Sequence, residues 1–585
     1  MFKLVKKLTL KQIIFIIFSI GFVATQVWLE LKIPDYMNEI TKLIQTKGTT
    51  TKDVLTPGLY MILCAFASLI TSIIVGYFAA YIAASFAYRL RKDVFNSAQK
   101  FGMEEIKNFS TSSLITRTTN DVTQVGTLIS MGLQVIIRAP IMGIWAMTKI
   151  AGKSYEWTLA TGVALVVLTI MILILILIAF PKFKKIQWLT DNLNRITREN
   201  LTGIRVVRAY NAEKYQMDRF DDANNELTSA HLFTSRIMAI MSPVMTLIMS
   251  GLSLSIYFIG AYLINKADML DKINLFSDMV VFSAYAMQVV MSFTMLTMIF
   301  ILYPRASVAA RRINEVLETK SSIVEGTKEM GTEVGTIEFK NVSFKYPDAE
   351  DYVLKDIDFK AKKGETIAFI GRTGSGKSTV VNLIPRLYDV TSGEVLVDGI
   401  NVKEYKEESL NDKIGYISQK AVTFKGTIKE NVGFGKKNNK KISEKNIKKA
   451  IEVAQAEEFV SKLPGTYSYS LAESGTNVSG GQKQRLSIAR AIARDPEIYI
   501  FDDSFSALDY KTDFALRKEL NKYTKDATVV IVASRIGTIK DADQIFVIED
   551  GEIVGSGTHD KLLKNCSVYK EIAISQLGEE ELKNA

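Results

Sequence analysis

The chain has 585 residues and a formal net charge of +10, and its two cysteines, Cys64 and Cys566, are too few and too far apart in sequence for a disulfide framework. This length exceeds the size at which one hydrophobic core stops growing, so we expect at least two domains. Apolar residues make up 48% of the chain and charged residues 23%, a mixture that indicates a membrane part joined to a soluble part. The positive charge alone would also suit a nucleic-acid-binding protein, but the basic loops of a membrane protein explain it better.

Six apolar stretches in the N-terminal half are long enough to cross a bilayer, which takes about 20 helical residues. They lie near Ile13–Ile33, Gly58–Ala84, Gly126–Thr148, Trp157–Phe180, Ile237–Ile264 and Phe276–Tyr303. The fourth stretch is the least ambiguous, whereas Arg138 interrupts the third. The first stretch follows a basic segment, as in a signal peptide, but its apolar run continues too far for one, so we predict an uncleaved span.

The charges outside the spans predict the orientation of the chain. An even number of spans places both termini on one side of the membrane. The first twelve residues carry four lysines and no acid, and the connections 85–125 and 181–236 are rich in Arg and Lys, which places the termini and both connections in the cytosol. Both connections keep apolar residues at helical spacing, with Gly102 and Gly203 as exceptions, so we expect them to be helical.

The composition changes after the last span. From about Thr336 onward, predicted strands and helices alternate, with glycine-containing turns between them. This pattern is typical of an α/β domain. We therefore predict a membrane domain over residues 1–320, a linker over 321–335 and an α/β domain over 336–585.

A phosphate-binding loop is predicted near the start of the α/β domain. The segment GRTGSGKS fits the pattern G-x-x-x-x-G-K-[ST] and lies between a predicted strand, Thr366–Ile370, and a predicted helix that begins near Lys377. The glycines let the backbone curl so that successive N–H groups point at phosphate oxygens. A chance match to a glycine-rich turn is the plainer alternative, which the flanking elements disfavour. The residues expected to contact ATP here are Gly371, Arg372, Thr373, Gly374, Ser375, Gly376, Lys377, Ser378 and Thr379.

Two further segments predict groups that handle phosphate and metal. The apolar run Ile498–Phe501 leads into Asp502 and Asp503, which predicts a buried parallel strand with a metal-binding carboxylate at its end. We expect Asp502 and Ser378 to bind Mg²⁺, while Lys377 neutralises the β- and γ-phosphates. About twenty residues before that strand, a short segment supplies a serine hydroxyl and flexible glycine amides just ahead of a predicted amphipathic helix. Such a helix start is the geometry of an anion-binding site. This second segment, SGGQ, comprises Ser479, Gly480, Gly481 and Gln482.

These segments, with an SALD loop after the acidic strand, follow the order and spacing of ATP-binding cassette (ABC) proteins. Over nearly its whole length the chain resembles an ABC exporter half-transporter of the multidrug type. The resemblance implies a six-span α-helical transmembrane domain of the type 1 exporter kind, followed by an α/β P-loop nucleotide-binding domain. It also implies ATP and Mg²⁺ as cofactors.

The resemblance also implies roles for single residues. Tyr346 would stack on the adenine ring, and Gln419 would lie near Mg²⁺ and sense the membrane domain. Asp509 would cross to a second cassette, and Glu473 would touch coupling elements, which the segments 109–122 and 198–215 resemble. Taken singly, Tyr346 could instead be a core tyrosine and Gln419 part of a surface turn.

The sequence departs from the family pattern at two catalytic positions. Asp503 stands where the family has the Glu that polarises the attacking water, and Ser534 stands where it has a His that reaches the γ-phosphate. The chain's two histidines, His231 and His559, lie in segments that cannot take this role. The groups that bind ATP are present, while both groups that complete hydrolysis are altered.

This contrast predicts a heterodimer with one degenerate site. The chain would hold ATP at its own phosphate loop. Its SGGQ segment, which is the signature of the family, and Asp509 would act in trans on ATP held by a second subunit. That subunit would be a homologous half-transporter with the consensus Glu and His. The alternatives are a homodimeric exporter with a slow ATPase and an ATP-gated regulator that transports nothing. Residence in the cell membrane, with the nucleotide-binding domain in the cytosol of a bacterial-type cell, follows from the resemblance and the charge pattern.

Two features bear on the substrate. Methionines repeat at spacings of three and four in the fifth and sixth spans, Met291 and Met295 among them, and such surfaces adapt to apolar shapes. Arg138 inside a span either faces a cavity or reaches the inner interface. We expect drugs, lipids or hydrophobic peptides, although helix packing would also explain the methionines. The lysine-rich run Lys436–Lys449 lacks interleaved aromatics, so we predict a solvated face and no nucleic-acid partner.

Overall fold

The computed structural model describes residues 1–46, 48–151, 153–437 and 440–577, which form two compact units. The membrane unit comprises Met1–Gln99 and Ser112–Thr319, and the cassette unit comprises Lys100–Thr111 and Lys320–Ala585. The short segment 100–111, from the connection between the second and third spans, thus belongs with the cassette rather than with the helices around it. Two residues of the lysine-rich run and the last eight residues of the predicted α/β domain lie outside the described residues.

The described residues before 320 are mainly helical. Their helices are α1 (Leu10–Gln45), α2 (Thr51–Gln99), α3 (Met103–Phe109), α4 (Thr111–Ile150), α5 (Tyr155–Thr202), α6 (Ile204–Ala209), α7 (Glu213–Lys266) and α8 (Met269–Glu318), after a single turn at Phe2–Val5. Six of them (α1, α2, α4, α5, α7 and α8) are long and apolar enough to cross a membrane. The six predicted spans are therefore confirmed by length and composition.

Both connections predicted to be cytosolic are largely helical, and their helical character was also predicted. Helix α2 continues to Gln99 and α5 to Thr202, far beyond their apolar stretches. The predicted breakers end these runs, because Gly102 is the N-cap of α3 and Gly203 is the C-cap of α5. Helix α4 also contains two π-helical turns, at Arg117–Asp121 and Gly132–Ile136, which the sequence pattern did not predict.

The membrane unit has one main apolar core. Val23, Val27 and Leu31 of α1 pack there with residues of α4, α5, α7 and α8. On α8 the buried residues recur at spacings of three and four, for example Phe282 and Tyr285. This spacing puts them on one face of the helix.

The cassette unit is built around two sheets. Its strands are β1 (Ile337–Phe344), β2 (Leu354–Ala361), β3 (Thr366–Ile370), β4 (Ser392–Val397), β5 (Ile400–Asn401), β6 (Ile414–Ile417), β7 (Gly426–Thr427), β8 (Lys436–Lys437), β9 (Lys440–Lys441), β10 (Ser470–Leu471), β11 (Ile498–Asp502), β12 (Thr528–Val532), β13 (Gln544–Glu549) and β14 (Glu552–Gly557). Its helices after α3 are α9 (Lys377–Leu383), α10 (Glu407–Lys413), α11 (Ile428–Val432), α12 (Glu444–Val453), α13 (Glu457–Val460), α14 (Gly480–Ala493), α15 (Tyr510–Tyr523), α16 (Ile536–Ile539), α17 (His559–Asn565) and α18 (Ser567–Leu577).

The larger sheet has the order β14-β13-β3-β12-β11-β6 and is parallel except for β14. A second, antiparallel sheet has the order β2-β1-β4-β5. Successive residues of β3 point into opposite cores, Ala368 to one and Phe369 to the other. Burial on both faces explains why the central strands read as continuous apolar runs.

The parallel register brings the ends of three strands together. Phe369 of β3 pairs with Val532 of β12, and Val532 pairs with Asp502 of β11. The segments that follow these strands therefore meet at one edge of the sheet. Ligands of open α/β sheets bind at this carboxyl edge.

Candidate nucleotide-binding site

The phosphate loop has the backbone that its glycines permit. Gly374 and Gly376 have φ angles of 87° and 101°, a left-handed region that other residues rarely occupy. A Cβ atom on Gly376 would lie 2.7 Å from the Leu354 side chain and 3.1 Å from the Val353 carbonyl oxygen. Glycine is therefore required there both by conformation and by space.

Lys377 opens helix α9, which begins where the sequence predicted. Its Nζ donates to the carbonyl oxygens of Gly371 at 2.9 Å and Arg372 at 2.7 Å, and lies 3.5 Å from Ser375 Oγ. Burial lowers the pKa of the Lys377 ammonium, and the attraction of Asp503 and Asp502 opposes this. A bound anion would favour the charged form, so the loop suits phosphate.

The next two side chains form a pair that suits a hard cation. Ser378 Oγ donates to Asp502 Oδ1 at 2.7 Å, and Asp502 is 5% exposed at the end of β11. Burial raises the pKa of the Asp502 carboxyl, which the bonds from Ser378 and Tyr416 oppose. Hydroxyl and carboxylate oxygens are the protein ligands that Mg²⁺ uses beside phosphate.

Asp503 is held from two sides. Its Oδ2 accepts a hydrogen bond from Gln419 Nε2 at 3.2 Å, and its Oδ1 accepts one from Ser534 Oγ at 3.1 Å. The backbone of Asp503 has a φ angle of 45°, and its N–H donates to the Val532 carbonyl oxygen at 2.9 Å. The strand therefore ends abruptly, and both carboxylate oxygens of Asp503 are engaged by side chains.

Most of these groups line one cleft of about 270 Å³, and the buried Asp502 lies behind its wall, bonded to Ser378. Its wall combines loop residues such as Lys377 and Ser378 with Gln419, Asp503 and Ser534. The sequence predicted each of these residues from a separate segment, and the structure brings them together. The residues present fit a triphosphate with Mg²⁺, since a positive loop faces a hydroxyl–carboxylate pair. Among the described residues, no cluster of three or more His, Cys, Asp or Glu side chains could hold a metal by itself.

Tyr346 lies in an aromatic group near the loop. Its hydroxyl is 3.1 Å from Thr379 Oγ1. Its ring meets Phe344 and Tyr388 edge to face, with centroids 4.9 and 5.3 Å apart. The ring is half-buried, and its neighbours fix its orientation. Tyr388 gave no signal in the sequence.

The signature lies on a different element. Ser479 is the N-cap of α14, where it accepts a hydrogen bond from Gln482 N, and Gln482 Oε1 accepts one from Ser479 N at 2.9 Å. Gly480 and Gly481 form the first turn. Asp509 is the exposed N-cap of α15, and its hydrogen bond from the Thr512 backbone lowers the pKa of its carboxyl. None of these residues lines the 270 Å³ cleft.

Arg138 of the membrane unit has a partner that the sequence analysis missed. Its guanidinium donates to both carboxylate oxygens of Glu30 at 2.9 and 2.8 Å. Ser68 and Gln26 also donate to Glu30, each at 3.1 Å. The ion pair links α4 to α1 with side chains that are 26% and 17% exposed. The acid at position 30 inside the first predicted span was the signal for this pair.

The two methionine series differ in the membrane unit. In α7, Met241, Met245 and Met249 pack on the main core. In α8, Met291 is 46% exposed and Met295 is half-buried. Helix packing thus accounts for the α7 series, while part of the α8 series faces outward from the unit.

A chain with six membrane-spanning helices and this nucleotide cleft is an ATP-driven membrane transporter. Comparison with known proteins gives its family. The family model of the ABC transporter transmembrane region matches residues 15–293, and the ABC transporter model matches residues 354–506. The chain belongs to the ABC transporters, and the fold class expected from the sequence is confirmed.

Several relatives match most of the chain. An uncharacterized ABC transporter ATP-binding protein of Mycobacterium tuberculosis is 38% identical over 503 residues, covering 86% of this chain and 85% of the relative. The uncharacterized ABC transporter ATP-binding protein YfiB of Bacillus subtilis is 38% identical over 507 residues, covering 86% of each chain. The ATP-dependent lipid A-core flippase of Photobacterium profundum is 31% identical over 509 residues, covering 86% of this chain and 85% of the flippase.

The fold matches a solved structure over almost its whole length. The structure of a bacterial Atm1-family ABC exporter with ATP bound aligns with a TM-score of 0.80 at 21% identity, covering 97% of this chain and 99% of that chain. The present chain is therefore a multi-pass membrane protein with the exporter fold, in which one polypeptide carries the membrane and ATP-binding parts.

Proposed function

We propose that this chain is one half of a heterodimeric exporter, in which it binds ATP at its own phosphate loop, hydrolyses it poorly and completes the active site of a different subunit. The observation that supports this most strongly is the state of Asp503. Both of its carboxylate oxygens already accept hydrogen bonds, from Gln419 and from Ser534.

Asp503 is poorly suited to orient the attacking water. Its carboxylate is shorter by one methylene than the Glu of the family pattern, and a misplacement of about 1 Å can lower a rate by about 100-fold. The two hydrogen bonds also fix the carboxylate between Gln419 and Ser534. The same side chain therefore has a shorter reach and less freedom to move toward water.

Ser534 offers no replacement for the family histidine. Its hydroxyl donates to Asp503 at 3.1 Å, so its one proton is directed at the carboxylate. A serine hydroxyl is also shorter than an imidazole and has no ring nitrogen to hold a phosphate oxygen. Two independent departures thus affect the same step.

The groups that act on a partner are intact. The signature keeps its serine as the N-cap of α14, and Asp509 is exposed at the start of α15. We assign Ser479, Gly480, Gly481, Gln482 and Asp509 to ATP held by the second subunit. That subunit would have the consensus Glu and His, and its hydrolysis would drive transport.

The substrate class is a hydrophobic or amphipathic molecule. A lipid A-core flippase among the relatives, the outward Met291 and the half-buried Met295 support lipids, drugs or apolar peptides taken from the bilayer. The charge of Arg138 is balanced by Glu30, which disfavours a strongly anionic substrate. We place the chain in the cell membrane with its termini and cassette in the cytosol, as the basic connections indicate.

Purification of the chain alone and together with its partner tests the heterodimer. We expect little ATP turnover by the chain alone and brisk turnover by the pair. Ser479→Ala should abolish most of that turnover without changing ATP binding by this chain. Brisk hydrolysis by the lone chain would instead identify a homodimeric exporter. Turnover by the pair without ATP-dependent uptake of a fluorescent lipid analogue into vesicles would favour an ATP-gated regulator.

Substitution at the ion pair tests the substrate class. Glu30→Gln leaves Arg138 with an unbalanced charge, so an anionic amphiphile should stimulate ATP turnover more than in the wild type and a cationic one less. Arg138→Met should shift the preference the opposite way. Equal responses to both probes in both variants would show that the pair is only a structural tie between α1 and α4.

A further inference from the structure

Glu105 joins two segments that are far apart in the sequence. It lies on α3, in the connection between the second and third spans, and it is 7% exposed. Its Oε1 accepts a hydrogen bond from the backbone N of Ser322 at 2.9 Å, and its Oε2 lies 3.4 Å from Ser322 Oγ. Ser322 belongs to the linker that follows the last span. One buried carboxylate thus ties the first cytosolic connection to the linker.

Capping the start of α3 uses only one of the two carboxylate oxygens of Glu105. Glu105 Oε2 accepts from the Gly102 backbone N at 2.9 Å, which gives a partner to the N–H of the N-cap residue at the start of the helix. The other oxygen is free for the linker. The donors named here are backbone N–H groups and a hydroxyl, and such bonds to an ionised acceptor are about twice as strong as neutral ones.

The linker packs closely against the start of α3. A Cβ atom on Gly102 would lie 3.2 Å from Ser322 Oγ and 3.3 Å from Ile323 Cδ1. Phe101 and Phe109 stack with centroids 5.5 Å apart, which holds the two ends of α3 together. Glycine at 102 therefore allows the linker to approach the helix.

The same helix also contacts the turn that follows β1 and Tyr346. Lys107 Nζ forms an ion pair with Asp348 at 2.9 Å, two residues after Tyr346. Both side chains are more than half exposed, so water screens this ion pair and it can open during a cycle. Helix α3 thus has a buried contact with the linker through Glu105 and an exposed contact with the turn after Tyr346 through Lys107.

We infer that Glu105 is a positioning residue for transport: it makes the linker move together with α3 when the nucleotide site changes. Loss of the carboxylate should release the linker while leaving the ATP site intact. The coupling between ATP binding and turnover of the assembled transporter should then weaken, without a change in affinity for ATP. This inference requires only the ABC transporter family, whichever subunit hydrolyses ATP.

The first measurement is made on the full chain alone. Lys320 is exposed, and trypsin cleavage after it reports on release of the adjacent Ser322. We expect Glu105→Gln to accelerate that cleavage by about tenfold or more, the effect of losing a hydrogen bond to a buried charge. Glu104→Gln, one residue earlier on the same helix, is the matched control and should cleave like the wild type. Unchanged cleavage in Glu105→Gln would overturn the inference.

The second measurement separates coupling from folding. In membrane vesicles with the assembled transporter, Glu105→Gln should lower kcat for ATP by about tenfold with KM unchanged. A disulfide from G102C and S322C should restore kcat in an E105A background with both native cysteines replaced by serine, because the distances at Gly102 suit this bond. Reduction of the disulfide should remove the rescue. A normal kcat in Glu105→Gln, or a formed disulfide that restores nothing, would reduce Glu105 to a helix cap.

Discussion

Two sides of the same cleft differ in what they can do. On one side, the loop after β3 presents Lys377 and Ser378 with the conformation and spacing that phosphate and Mg²⁺ require. On the other side, the segments after β11 and β12 present Asp503 and Ser534, which hydrogen-bond to each other. The first side presents the groups that suit phosphate and Mg²⁺, and on the second side both carboxylate oxygens of Asp503 accept side-chain hydrogen bonds.

Under the proposed function, this difference separates binding from cleavage within one fold. The register of β3, β12 and β11 fixes where all these segments meet, so the scaffold is common to both sides. Only the side chains at its edge change. In the proposed heterodimer, this site would keep ATP bound while the chemistry occurs in the second subunit.

The largest effect is expected from the binding side. Lys377→Ala should lower the affinity for ATP by about 100-fold, because it removes charge-assisted hydrogen bonds to phosphate from a partly buried position. Equilibrium binding of a fluorescent ATP analogue to the full chain measures it. Lys420→Ala, an exposed lysine beside Gln419, is the matched control and should bind like the wild type. Equal affinity in both variants would show that phosphate is not held by this loop.

A smaller effect is expected from repair of the cleaving side. Asp503→Glu combined with Ser534→His should raise ATP turnover at this chain's own site by about 10- to 100-fold, since it restores the reach of the carboxylate and adds a ring nitrogen. ATP affinity should change little. Steady-state phosphate release checks this with a partner whose own phosphate-loop lysine is replaced. Ser506→His, at an exposed position three residues beyond Asp503, controls for an added imidazole.

An unchanged rate of ATP turnover in the Asp503→Glu, Ser534→His double variant would contradict this prediction. If the double variant turns over ATP no faster than the wild type, the two altered residues are not what limits the site. Other groups around Gln419 would then carry the defect, and the contrast between the two sides of the cleft would lose its catalytic meaning.

The features that the sequence predicted well are those set by neighbouring residues. Strand β3 has the predicted bounds, and α9 begins at Lys377. Local glycine chemistry determines that turn, and the contacts of Lys377 reach back only five and six residues. The six spans were also predictable, because each needs only its own apolar length.

The features that the sequence did not predict depend on contacts between distant segments. Glu105 and Ser322 are 217 residues apart, and Arg138 and Glu30 are 108 residues apart. No local sequence pattern predicts these two pairs. Hydrophobic periodicity indicates which face of a helix is buried, but it does not indicate which polar side chain on another segment lies against that face. The π-helical turns of α4 likewise left no signal. Asp503 was predicted as a weak catalytic group, but its hydrogen bonds from Gln419 and Ser534 could not be predicted, because these residues come from separate segments that only the folded chain brings together.

The smallest effect is expected at the aromatic edge of the binding side. Tyr346→Ala should lower ATP affinity by about fivefold, because a ring stacked on a base contributes about 1 kcal/mol beyond its buried area. Tyr346→Phe keeps the ring and its edge-to-face packing on Tyr388 and loses only the contact with Thr379, so its affinity should fall by about twofold at most. Tyr352→Ala removes a nearby tyrosine that is 44% exposed and should bind ATP normally. Equal losses in the Ala and Phe variants would show that the hydroxyl contact with Thr379, rather than the ring, supports the binding side of the cleft.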